Sequence, residues 1–321
     1  MPKSHDDRIL AVLAFGEAMG TPMTAQQVWQ RMPPGPGAVS LAETLDVLAR
    51  LSAHGTVRAV DGWYAPAGTP SDAFIARLDR LNMRADKFRR MLRKAFWLQG
   101  VPFVRALAAS GSMSAGTTGA DSDWDMFVIA RAGRLYTARF FLVAAAWCVG
   151  SLRTKRDRIA PDKFCFNHYV TDRGLVIRHR SRYVAHALAS LIPVHDPGGY
   201  VDRLRQANGW VAEYIARWPV PSAVTVRRTV RRSRILGALR YVAELVLRTP
   251  LGGLLERVLR SWQQGRIHRE PVTHARGGRV VADGQELEFH PHSAERAVVA
   301  RYNARMAALG MPVQERDSGL R

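Results

Sequence analysis

The chain has 321 residues, with 47 Lys plus Arg against 27 Asp plus Glu, a formal net charge of +20. Apolar residues make up 47% and charged residues 23%; this excludes a disordered chain, a collagen-like chain and a coiled-coil rod, and the length suits two or three domains. The positive excess asks for an anionic partner: nucleic acid, nucleotide phosphates or an acidic membrane surface.

No signal-peptide pattern follows Met1 to Arg8, so a cytoplasmic protein is expected. Residues 1–68 read as a small module. Asp7 to Met19 has helical apolar spacing, and Thr24 and Ser40 are placed to cap two further helices. Pro33-Pro34-Gly35-Pro36-Gly37 is a break between them. Asp61-Gly62 between Thr56–Val60 and Trp63-Tyr64 is a hairpin signal. Three helices and a hairpin resemble a winged helix-turn-helix. Five basic and six acidic residues in this stretch, with Glu43 and Asp46 early on the third helix, argue against DNA binding and for a packing or dimerisation module.

Asp72 to Gln99 reads as a long basic amphipathic helix stopped by Gly100. Phe103–Ala109 and Trp124–Ala130 read as buried strands, Leu135–Val149 as a helix, and Phe164–Val170 and Leu175–Ile177 as strands turning at Asp172-Arg173-Gly174. Phe140–Gly150 is too short to span a bilayer, and Arg139 and Arg153 flank it. Cys148 and Cys165 read as reduced core residues; two cysteines exclude a disulfide framework. Tyr183–Ile192 and Tyr200–Trp218 read as helices. Residues 225–280 hold thirteen arginines against three glutamates around the apolar stretch 235–247. Arg279–Phe289 reads as a hairpin turning at Asp283-Gly284, and Ser293–Leu309 as a helix.

The chemistry-bearing stretch runs from Ala109 to Ile129. A strand ends at Gly111-Ser112, where glycine allows close backbone approach and Ser112 opens a turn whose free N–H groups suit phosphate. Ten residues on, Asp123 and Asp125 lie two apart at a strand start and point to the same side. Two adjacent carboxylates repel unless a cation lies between them, and Mg²⁺ is the natural one beside phosphates. Together these are the minimum equipment for phosphoryl or nucleotidyl transfer.

Gly-Ser, a ten-residue spacer and Asp-x-Asp followed by apolar strand residues resemble the signature of the polymerase-beta-like nucleotidyltransferase superfamily, particularly bacterial stand-alone domains of unassigned substrate. The similarity extends through Pro102–Arg105, Gly133-Arg134-Leu135, Phe166–Tyr169, Leu191-Ile192-Pro193, Ala207–Trp210 and Phe289-His290-Pro291, most of residues 75–310. It implies an α/β (α+β) fold: a mixed sheet with flanking helices over 69–182, after the winged-helix-like module 1–68 and before a helical C-terminal region 183–321. It also implies that Gly111 and Ser112 contact a nucleoside triphosphate and that Asp123 and Asp125 hold Mg²⁺ or Mn²⁺. A third carboxylate commonly completes such sites. Here the strand Phe164–Val170 offers Asn167, suited to contacting metal or substrate, and His168, suited to be the base if it faces the site; Asp162 precedes the strand and Asp172 follows it.

Other groups read more plainly. Lys155 and Arg156 suit phosphate neutralisation but equally a solvated basic loop, and His290-Pro291-His292 reads as a surface turn. The basic amphipathic segment 227–260 suits a helix packed on the domain, an anionic membrane face or, less well for want of aromatics, nucleic acid. The expected function is transfer of an NMP from an NTP to an unidentified acceptor hydroxyl. The alternative is a nucleotide-sensing or regulatory module lacking turnover, peripheral to a membrane.

Overall fold

The computed structural model describes residues 4–154, 157, 159–219, 229–274, 278–291, 293–311 and 315. It shows a mixed α/β architecture built on two sheets.

The N-terminal unit begins with α1 (His5–Ala18), capped reciprocally by Ser4 and Asp7. β1 (Met23–Thr24) leads into α2 (Ala25–Gln30), and α3 (Leu41–Ala53) follows; Thr24 and Ser40 cap them. β2 (Val57–Val60) and β3 (Trp63–Pro66) form the expected hairpin, with Asp61 and Gly62 both at positive φ, as a two-residue turn of matching twist requires. β1 adds to β3, giving the order β1-β3-β2. From Ile9 to Gly16 α1 is apolar and buried on every side. Ile9, Val12 and Leu13 fill the unit's own core, while Ala11, Ala14 and Phe15 pack on Val298, Tyr302 and Met306 of α11 (Glu295–Ala308), the last helix.

α4 (Ser71–Leu98) carries the chain to the second sheet. Its strands are β4 (Val104–Ala109), β5 (Trp124–Ala130), β6 (Phe164–Thr171), β7 (Ile192–His195), β8 (Arg279–Ala282) and β9 (Glu286–His290), in the order β7-β4-β5-β6-β9-β8. Only β5 and β6 are parallel, joined through α6 (Leu135–Cys148). Trp124, Met126 and Val128 point to the face covered by α4 and α6. Phe127 and Ile129 point to the other face, under α7 (Arg182–Ser190) and α8 (Tyr200–Ala207). Strand alternation places Asp125 on this second face.

Several expectations need correction. Leu175–Ile177 is not a strand. Asn208 holds it, donating Nδ2–H to the Leu175 carbonyl (2.8 Å) and accepting the Ile177 N–H at Oδ1 (2.8 Å), so β6 pairs with β9 instead. The same spent side chain marks where the expected helix 200–218 breaks, α8 giving way to a 3₁₀ turn at Gly209–Glu213. Region 183–321 is not simply helical, since it supplies β7, β8 and β9. β7 contains Pro193, tolerated because β7 is an edge strand. Cys148 is exposed, not core. No helix among the described residues is long and apolar enough to cross a membrane.

α9 (Arg234–Leu247) and α10 (Pro250–Arg269) lie along the first face and attach through carboxylates. Glu244 accepts from the Phe103 N–H (3.0 Å) and from Arg105 (2.9 Å). Glu256 accepts from the backbone N–H groups of Tyr136 (3.1 Å) and Thr137 (2.8 Å) and from the Thr137 hydroxyl (2.6 Å). It thereby satisfies the first turn of α6, which has no side-chain cap of its own.

Candidate active site

Gly111 and Asp125 meet across the β4–β5 edge. The Ser110 N–H donates to the Asp125 carbonyl at 3.0 Å, and α5 (Gly111–Ala115) starts there. Gly111 sits at φ +55°, and a Cβ on it would lie 2.1 Å from Asp125 Oδ2. The loop before Asp123 is held from below: buried Lys87 donates Nζ–H to the Ser122 carbonyl (2.7 Å) and pairs with Asp162 (3.3 Å).

Asp123, Asp125 and Cys165 bring one ligand atom each to within 4.8 Å of one another. Cys165 is Asp125's register partner on β6. Burial, with the Asp123 charge beside it, pushes the Asp125 carboxyl up to about 7, against the opposing pull of His290 and Arg153. Burial, with Asp125 next, raises the Cys165 thiol far above its ordinary range, so it stays protonated. Arg153 pairs with Asp123, and Asn167 donates Nδ2–H to Asp125 Oδ1 at 2.6 Å.

Of the residues expected here, Gly111, Ser112, Asp123, Asp125 and Asn167 come together. His168 does not join them through its Nε2, which meets Glu286 at 3.0 Å while its ring leans on Phe127. Asp162 is taken by Lys87 and Arg90, and Asp172 by Arg105 and the Ala132 N–H, so neither completes the carboxylate set. Lys155, Arg156 and His292 lie outside the described residues.

β9 brings a group whose glutamates had read as half of a hairpin and whose His290 had read as part of a surface turn but ends the strand instead. Glu286, Glu288 and His290 alternate along it on the face of Asp125, and Glu288 is the register partner of His168. His168, Glu286 and Glu288 also offer ligand atoms within 4.8 Å of one another, but their hydrogen bonds are already matched internally. Glu288 accepts from Arg279 (2.5 Å) and meets His290 (3.1 Å). Burial raises the Glu288 carboxyl, yet the His290 hydrogen bond and the charges of His168, His290 and Arg279 outweigh it and hold it at about 2. The unfolded chain, with the carboxyl at an ordinary 4.5, therefore takes up this proton first. The stabilisation is whole above pH 4.5 and is lost as pH falls towards 2, at a slope set by one proton and a total of roughly 3 kcal/mol. Denaturant melts across that range should show this loss in the wild type and not in Glu288→Gln; equal acid slopes would remove the account.

A cleft of about 310 Å³ opens on Gly111, Ser112 and Asp125, within the roughly 300–1,000 Å³ of small-molecule sites. Its far wall comes from the N-terminal unit and α4, which the sequence did not connect to the motif. Arg31 donates to Ser190 Oγ (2.8 Å) and to His186 Nδ1 (3.5 Å). Burial, and then the Arg31 charge, drives the His186 imidazole well below its ordinary value, so it is a neutral acceptor. Arg77 is 3% exposed, donates to the Gly116 carbonyl, lies 5.3 Å from the centre of the Trp63 ring, and has a buried Nε–H with no acceptor. Burial, with Arg31 next, lowers it to about 10. Among the described residues no carboxylate lies within ion-pair distance of either guanidinium. Phe15, Met19 and Met23 supply an apolar wall.

No protein-family model matches the chain, and no curated protein or solved structure is significantly similar to it.

Proposed function

We propose that the protein is a Mg²⁺- or Mn²⁺-dependent nucleotidyltransferase of the polymerase-beta-like type, moving an NMP from an NTP to an acceptor hydroxyl. The observation that carries this reading is a single cleft with opposite demands. At one end the desolvated Asp125 carboxylate, beside an Asp123 that pairs with Arg153, suits a cation; at the other, two guanidinium groups without carboxylates suit an anion. A metal triphosphate answers both.

The donor set fits a hard ion. Asp123 and Asp125 would hold it, leaving positions for phosphate oxygens and water, and the protonated Cys165 adds no competing soft ligand. Such an ion, when bound, offsets charge developing on the α-phosphate and the leaving pyrophosphate. The chain's own residues do the rest. Gly111 lets backbone approach the phosphates, Ser112 offers a hydroxyl, and Arg31 and Arg77 grip the polyphosphate. Asn167 fixes the Asp125 carboxylate, and the apolar wall receives the base. As the acceptor oxygen bonds to the α-phosphorus, the phosphorus's bridge to pyrophosphate breaks, and the acceptor's proton passes to water in the open cleft. The N-terminal unit, winged-helix-like in this reading, serves as a cleft wall, which agrees with its slight negative charge.

Arg77→Met and Arg31→Met carry the distinctive expectation. Each removes a charge with no carboxylate partner, buried at Arg77 and half-buried at Arg31, so the free protein's melting temperature should hold or rise, while the Kd for an NTP with Mg²⁺ should rise about ten- to a hundredfold. Calorimetric titration and thermal melts check both. Unchanged affinity in both variants would sink the polyphosphate assignment.

A second reading draws on Arg153 over Asp123 and Asn167 on Asp125, where a third acid is expected. These suit a nucleotide sensor. Four α-labelled NTPs with Mg²⁺, given to the protein alone and with cell lysate, separate the two: label in an acceptor means transferase, tight binding without transfer means sensor.

A further inference from the structure

Surface helices normally turn an apolar stripe inwards and charges to water. α9 and α10 depart from this: although Leu259 and Ile267 of α10 face inward, both helices also carry an apolar stripe outward. Their two acids, Glu244 and Glu256, are buried against the domain. On α9, Ile235, Leu239, Val242 and Val246 recur at helical spacing and are 56–75% exposed. On α10, Leu251, Leu254, Val258 and Trp262 do the same at 50–78%. With both acids buried, every exposed formal charge from 229 to 269 is positive, including Arg231, Arg232 and Arg234 at the start of α9 and Arg257, Arg260 and Arg266 on α10. Residues 227 and 228 of this basic segment lie outside the described residues.

We infer that the outer face of α9–α10 is a docking surface for an anionic lipid bilayer. Two properties select this occupant. The aliphatic stripes need an apolar phase, which a nucleic-acid backbone does not offer. The arginines around them need negative charge, which a second copy of the same face would not offer, since symmetry would set arginine near arginine. A bilayer of acidic lipids presents both, with acyl chains under the stripes and phosphates at the arginines. α9 has 14 residues and at about 1.5 Å per residue is shorter than a hydrocarbon core of roughly 30 Å, so it lies in the plane of the interface. The carboxylate anchors to Phe103, Arg105 and the α6 N-terminus hold the helices so that this face stays outward. Nothing in this inference depends on the chemistry of the cleft.

Sedimentation of the full chain with phosphatidylcholine vesicles, with and without phosphatidylglycerol, tests it. Binding is expected only to the acidic vesicles and to weaken as salt rises. Val242→Glu with Val258→Glu should weaken it at least about tenfold, with unchanged far-ultraviolet circular dichroism. Should that pair unfold, Trp262→Phe serves instead: bromolipid quenching of tryptophan fluorescence in the wild type should drop in the variant. Failure to bind acidic vesicles, binding indifferent to lipid charge, or binding untouched by the glutamate pair would each overturn the inference. So would light scattering that shows a dimer dissolved by the same pair, which would make the face a contact between copies, or a nucleic acid competing the vesicles away through Val242 and Val258.

Discussion

On the proposed nucleotidyltransferase reading, Asp125→Asn is expected to lower label transfer from an α-labelled NTP by at least about a thousandfold and to leave the protein at least as stable as the wild type. The two effects have one cause. Asp125 is a carboxylate held in a desolvated place next to Asp123, and burial with that neighbour already drives it up to about 7. The free protein thus holds Asp125 against desolvation and the Asp123 charge, which Arg153 offsets in part and which a bound cation would relieve further. Asparagine has the same shape, can still bond to Asn167 by turning its amide, and brings no charge to repel or to ligate. Single-turnover transfer at saturating NTP reads the first effect and thermal melting the second. Transfer within tenfold of wild type would remove Asp125 from the chemistry; a large fall in melting temperature would make it a structural residue.

Gly111→Ala strikes the same atom from the backbone side. Its Cβ would need the space of Asp125 Oδ2 and would also come within 2.8 Å of Cγ and 2.9 Å of Cβ. The φ of +55° adds the strain of a left-handed L-residue, about 1 kcal/mol. No flexible tip can give way, because Asp125 lies in a paired strand with Oδ1 held by Asn167. Either the carboxylate leaves its position or α5 shifts. The expected result is a loss of transfer of at least about a hundredfold, with a stability cost of roughly 2–4 kcal/mol from overpacking and strain. Gly116→Ala, also at positive φ but facing the Arg77 guanidinium, is the comparison: it should cost stability and NTP affinity while sparing the turnover of bound NTP. Wild-type activity in Gly111→Ala would mean that the close approach has no bearing on function.

The motif was legible because its parts are near in sequence and its chemistry follows from strand alternation. Asp123, Asp125 and the Gly111-Ser112 turn are one local unit, and the strands around them are plain apolar runs. The opposite wall was not legible. Arg31 sits just after a short helix and Arg77 inside a long basic one, where nothing local separates a cleft-lining arginine from a solvated one. Only the packing of α1 and α7 brings Arg31 to His186 and so to the motif. β9 lay between these cases. Its Glu-x-Glu-x-His alternation marks one face of a strand, but which strand it joins depends on Asn208 diverting Leu175–Ile177. The orientation of α9 and α10 was hidden for a similar reason. All their apolar residues look like core in sequence, and only the N–H partners of Glu244 and Glu256 settle that Leu259 faces inward while the two stripes face out.

The seating of α11 against α1 has a consequence for synthesis. Phe15 lines the cleft, and its ring is held by His186 at 4.2 Å and Tyr302 at 5.9 Å. One pocket wall is thus made by the beginning of the chain, positioned by its middle and locked by residues near its end. While a ribosome is still translating, the first helix has made its own small core but must leave the Ala11–Phe15 flank exposed until α11 has emerged. Nascent chains that stop before residue 302 therefore carry Asp123 and Asp125 without a finished pocket around them. This wall of the cleft is complete only once α11 has been made and has packed on α1.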